Sequence, residues 1–269
     1  MKSIYNILVA FVLVSTFSLV SSCKKDDNTP KGNGPVTLHF DNRFGADDLV
    51  LGTTYTNQAG EQLAISTFNY YVSNIVLVKE DGGEYVVPKD ECYHLVREGV
   101  DSTYELELEN VPAGNYNTLK FIIGVDSLKN ASPVSERTGD LDVATTASDM
   151  YWTWNSGYIF YKIEGTSPAA PYDSMMGASM FYYHIGGYGG YSSATINNIR
   201  NVTISASESA IVGEGKNPEI HIFADAKEVF DSPSLLSIAA HPGVMFAPFS
   251  TTISDNYKDM FTINHIHND

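Results

Sequence analysis

Seven histidines carry the clearest chemical signal in the chain: His39, His94, His184, His221, His241, His265 and His267. His265-Ile266-His267 is an i, i+2 pair, and side chains alternate across a strand, so an extended backbone puts both imidazoles on one face where they can chelate one ion. His39, His184 and His221 fall in stretches that read as strands. Imidazole suits copper and zinc, and a thioether from one of the seven methionines can complete a copper site. Ligation requires neutral rings, so histidine-held metal should be released as the pH falls through about 6.5. The plainer alternative for any one histidine is a hydrogen-bonded wall or surface group, and for the C-terminal pair a solvated tail.

Hard oxygen donors offer a rival ion. Asp41-Asn42 with Asp47-Asp48, or Asp126 with Asn130, present the groups calcium prefers, although neither set matches a twelve-residue calcium loop. Both tryptophans, Trp152 and Trp154, lie two residues apart inside the aromatic stretch Met150 to Gly165. Core packing accounts for such a pair in a sandwich. The functional alternatives are a stacking platform or a redox-active tryptophan beside a metal.

Signatures of other chemistry are absent. The chain has no Gly-x-Ser-x-Gly, phosphate loop, dinucleotide glycine fingerprint or His-Glu-x-x-His helix. The glycine-rich run His184-Ile185-Gly186-Gly187-Tyr188-Gly189-Gly190 precedes no clear helix, so it does not read as a phosphate cradle. No nucleophile with a base and no singular carboxylate pair emerges, and the expectation is a protein that is not an enzyme. With 16 Lys and Arg against 32 Asp and Glu, the net charge is −16, which repels phosphate backbones and argues against nucleic acid.

The elements that must position these residues read as strands. The chain of 269 residues is 43% hydrophobic, 12% aromatic and 18% charged, which places it among globular proteins and away from disordered or coiled-coil ones. Short stretches rich in Val, Ile, Thr, Tyr and Phe recur between Gly, Asn, Asp and Pro clusters: 36–40, 62–66, 70–79, 85–88, 92–97, 104–108, 118–124, 157–163, 180–185, 201–205 and 219–223. Glu80 to Glu84 and Val111 to Asn115 have the turn chemistry of hairpins. Helical signals are confined to 225–230 and 254–261. The predicted fold is an all-β, Greek-key-like sandwich over residues 35–269, with one or two short helices.

Residues 1–22 read as a lipoprotein signal peptide: Lys2, an apolar run, then Val20-Ser21-Ser22 directly before Cys23. That arrangement resembles the bacterial lipobox, which makes Cys23 the acylated N-terminus and outer-membrane lipid its anchor. The polar, Pro- and Gly-rich residues 23–34 read as a disordered tether. Lys24-Lys25-Asp26-Asp27 resembles an export signal to the outer face of the outer membrane, with the periplasmic face as the alternative. With Cys23 modified, Cys92 has no partner for an internal disulfide and reads as a buried thiol.

Five segments together resemble the MbnP-like family, named after the methanobactin-associated protein, in its lipoprotein branch. They are Phe68 to Ile75; Pro112 to Tyr116 running into Gly124-Val125-Asp126-Ser127; Met150 to Gly165; Phe181 to Gly187; and Asp255 to Phe261. The resemblance implies a β-rich extracytoplasmic domain that binds copper. In relatives, a tryptophan oxidised to kynurenine by a MauG-type dihaem partner joins histidines at the metal. On that pattern His184, in the His-x-Gly segment, is the principal ligand, and Trp152 and Trp154 are the paired tryptophans. One departure stands out: methanotroph members have His after the Asn that follows the Gly-Val segment, whereas Ala131 follows Asn130 here. The leading expectation is thus a lipid-anchored copper-binding protein for metal acquisition or buffering, with His39, His221, His265 and His267 as partner ligands. The alternative is a metal-free surface module that binds protein or glycan through Tyr182, Tyr183, Tyr188 and Tyr191.

Overall fold

The computed structural model describes residues 30–155, 157–190 and 192–268. The signal peptide, Cys23, most of the tether and Tyr191 lie outside the described residues. In chain order the strands are β1 (Asn33–Phe44), β2 (Asp47–Asp48), β3 (Thr54–Thr56), β4 (Gln62–Lys79), β5 (Glu84–Val86), β6 (Tyr93–Arg97), β7 (Glu105–Pro112), β8 (Gly114–Ile123), β9 (Tyr151–Trp152), β10 (Gly157–Thr166), β11 (Tyr172–Asp173), β12 (Ala178–Gly186), β13 (Arg200–Val212), β14 (Glu219–Asp225), β15 (Gly243–Val244) and β16 (Phe261–His267). Among the described residues two α-helices, α1 (Ser127–Asn130) and α2 (Ser250–Tyr257), accompany the strands, and no helix is long and apolar enough to cross a membrane.

The strands form an all-β sandwich. One sheet runs β16-β14-β1-β2, with β7 also paired to β1; the other runs β11-β12-β10-β4-β8-β13, with β3, β5 and β6 on β4, β9 on β10 and β15 on β12. Strict alternation makes the first sheet one-sided. Val36, Leu38 and Phe40 of β1 and Ile220, Ile222 and Ala224 of β14 are buried, so Thr37, His39, Asp41, Glu219 and His221 take the outer face. β1 and β14 pair in parallel, which departs from a purely antiparallel Greek key. Between the sheets, Tyr70, Tyr161, Phe68 and Phe40 interlock edge to face, each adding to the area it buries.

Several boundaries differ from the sequence reading. The predicted strands 62–66 and 70–79 are one 18-residue strand, β4, bent where Asn74 takes a positive φ of 55° and the register shifts. Glu80 to Glu84 does close a hairpin, pairing Val78 with Glu84. Val111 to Asn115 does not, because β7 belongs to the first sheet and β8 to the second, so the turn carries the chain across the sandwich. The predicted helix 225–230 is a 3-10 turn over Glu228–Phe230, and the one at 254–261 starts earlier, as α2, with Phe261 already in β16. β1 begins at Asn33, ahead of the predicted domain start, and Lys31 and Gly32 already accept backbone hydrogen bonds from Glu214 and Ala113. Cys92 is a buried thiol whose ionisation burial pushes up.

A long connection from Gly124 to Asn155 folds over the outer face of the second sheet and builds a second core from Tyr71, Leu95, Leu141, Met150, Trp152, Tyr158 and Phe160. Carboxylates pin it down: Asp126 to Tyr93 and Lys89, Asp140 to His94 and the Leu95 N–H, and Asp149 to Arg97. Burial alone would raise each of these acids, but the donated hydrogen bonds outweigh it and hold all three below the usual carboxylate range. A lowered folded value stabilises at any pH above the unfolded value of about 4 and is lost as pH falls further through it. Acidification below about pH 4 should therefore release this layer, read as a red shift of Trp152 emission; a Trp signal unchanged to pH 2 would contradict the pinning.

Candidate metal centre

Register assembles the site. His39 of β1 lies opposite His221 of β14, and His221 lies opposite His265 of β16, all on the outer face of the first sheet. Their rings stack in a row, with centroids 4.7 Å apart for His39 and His221 and 4.2 Å for His221 and His265. His267, two residues further along the same face, brings its Nε2 within 3.0 Å of His265 Nε2. Two ligand groups result, each with donor atoms within 4.8 Å of one another: His221, His265 and His267, and His39, Glu219 and His221.

Carboxylates orient the rings. Asp41 Oδ2 lies 3.0 Å from His221 Nδ1, and its Oδ1 lies 3.3 Å from His39 Nε2. Glu219 Oε1 is 3.2 Å from both His221 Nε2 and His39 Nδ1, and Glu105 Oε1 is 3.4 Å from His39 Nδ1. An acceptor behind an imidazole fixes its tautomer and leaves the far nitrogen for an ion. Desolvation, then the neighbouring His221 and His267, holds His265 below the ordinary histidine value, which favours the neutral ring that a metal requires. Sequence reasoning missed Glu219 and Glu105 and assigned Asp41 to calcium. The signal was there in His39-x-Asp41 and Glu219-x-His221, both at the i, i+2 spacing that shares a strand face.

His184 stands apart from this group. It lies on β12 in the second sheet, with Nε2 2.6 Å from Glu164 Oε1, and the hydrogen bond from His184 keeps that carboxyl low. The expected principal ligand is therefore not among the converging histidines, because β12 pairs with β10, β11 and β15, all in the second sheet. His94 bridges Thr103 O and Asp140 as a wall residue, and His241 stacks on Phe249.

The tryptophans also lie away from the quartet, in the layer over the second sheet. Trp152 is 5% exposed and packs against Phe246, whereas Trp154 is 63% exposed with its ring 5.2 Å from Trp152. Asn130 spends its amide on Val125 O and on the Tyr158 N–H, and Ala131 beside it offers no donor. The calcium groupings disperse: Asn42 points into the core, bonded to Glu98 and Tyr70, while Asp41 points out, and Asp126 caps α1. Of the tyrosine run, Tyr183 is buried and Tyr182 exposed, so alternation divides the expected aromatic platform.

Fold and site thus define an all-β sandwich with a histidine quartet on one outer face. The sequence model of the MbnP family matches residues 33–246, and the chain belongs to that family. Among solved structures, the MbnP from Methylosinus trichosporium is 18% identical, covering 75% of this chain and 78% of that chain with a TM-score of 0.48. No curated protein matches the chain. His39 and His221 lie inside the family match, and His265 and His267 lie beyond it.

Proposed function

We propose that this protein is a lipid-anchored, extracytoplasmic copper-binding protein that acquires or buffers the metal and turns over no substrate. His221, His265 and His267 hold the ion, with His39 flanking them, and acylated Cys23 holds the protein at the outer membrane. The observation that carries this reading is the contact between His265 Nε2 and His267 Nε2 beneath a third stacked imidazole. An all-imidazole set, His221, His265 and His267, suits copper. Copper bound there would be a one-electron centre, but the reading needs only its custody. The quartet and the tryptophans lie on opposite outer faces, so this reading requires neither a modified tryptophan nor a dihaem partner.

Titration of the mature, tag-free protein with copper(I) against a competing chelator should find one tight equivalent per chain. Binding no stronger than that of scattered surface histidines would overturn the reading.

A further inference from the structure

The two ends of the quartet differ chemically. Toward β16 every donor is an imidazole; toward β1 two imidazoles converge on a carboxylate. His39 Nδ1 is a buried nitrogen with no hydrogen-bond partner, although Glu219 Oε1 lies only 3.2 Å away. His221 Nε2 stands the same 3.2 Å from that oxygen. The remote nitrogens, His221 Nδ1 and His39 Nε2, both face Asp41.

That arrangement has a direct chemical meaning. With Asp41 beside the remote nitrogens, both near nitrogens and the Glu219 carboxylate face one point, where a cation can take all three as ligands. A carboxylate behind the ligating histidines is the usual support of a zinc-type site. Two imidazoles and one or two carboxylates, Glu219 with Glu105 beside it, form a borderline donor set that suits a divalent ion better than copper(I).

We propose that His39, Glu219 and His221, oriented by Asp41, form a binding site for a zinc-type divalent cation that competes with copper for His221. Because Asp41 occupies His221 Nδ1, His221 offers a single nitrogen, and the two triads cannot both be complete. The competition rests on the copper reading above; the divalent site does not.

The test uses the mature, tag-free protein titrated with zinc alone, with copper(I) alone, and with zinc after copper(I). One zinc equivalent should bind, Glu219→Gln and His39→Ala should each weaken it at least tenfold, and prior copper(I) should suppress it. His265→Ala should cost copper(I) at least ten times more than it costs zinc. Glu219→Gln is nearly isosteric and its melting temperature should match the parent, so lost binding is not lost folding. Zinc affinity unchanged in Glu219→Gln would overturn the site, and two ions held at once would overturn the competition. Zinc without copper(I) would sink the copper reading and leave this site standing; copper(I) without zinc would do the reverse.

Discussion

Replacing His265 by alanine should cost the protein more than a hundredfold in copper(I) affinity, while His184→Ala should leave that affinity unchanged. His265 is the middle member of the all-imidazole group, stacked on His221 and touching His267 through its Nε2. Losing an outer-shell partner already costs a metal site about 10–100-fold, so losing a direct ligand from a set of three should cost more. His184 is spent on Glu164 on the other sheet and has no route to the quartet. Competition titration of both variants beside the parent measures this, with the melting temperature as a folding control. If His184→Ala removed the metal and His265→Ala did not, the centre would lie in the second sheet and the quartet would be a surface ornament.

The contrast between these histidines shows what was legible in the sequence. The spacing of His265 and His267 predicts a shared face from strand geometry alone, and His39 and His221 stand out as histidines within alternating apolar stretches. Four of the five expected ligands do converge. What brings them together was not legible, since His39 meets His221 through a parallel register spanning most of the chain, and no local pattern encodes which strands will be neighbours. The same limit explains the turn at Val111 to Asn115. Pro and Gly specify a tight reversal, but whether it returns to the same sheet or crosses to the other depends on distant partners. His184 lies on the other sheet, bonded to Glu164, in a motif whose glycine makes a second close contact.

That glycine gives the second large effect: Gly186→Ala should destabilise the fold by about 3 kcal/mol, the upper end of the usual cost of overpacking. A Cβ at Gly186 would stand 2.3 Å from Tyr158 O and 2.7 Å from Cζ3 of Trp152. Neither neighbour can yield cheaply. Tyr158 is fixed in β10 between its pairing to Tyr151 and a hydrogen bond from its hydroxyl to Leu141 O, and Trp152 is wedged between Gly186 and Phe246. The paired-tryptophan segment and the His-x-Gly segment are thus the two halves of one close contact, which explains their joint presence without any metal. For a domain of this size, about 3 kcal/mol corresponds to a fall in Tm of roughly 6–12 °C, readable by circular dichroism. Well below that Tm the variant should still bind copper(I) like the parent, because the quartet sits on the opposite sheet. A melting temperature within 1 °C of the parent would show that the layer over the second sheet can shift to admit a methyl group, and the contact would then not be what requires glycine there.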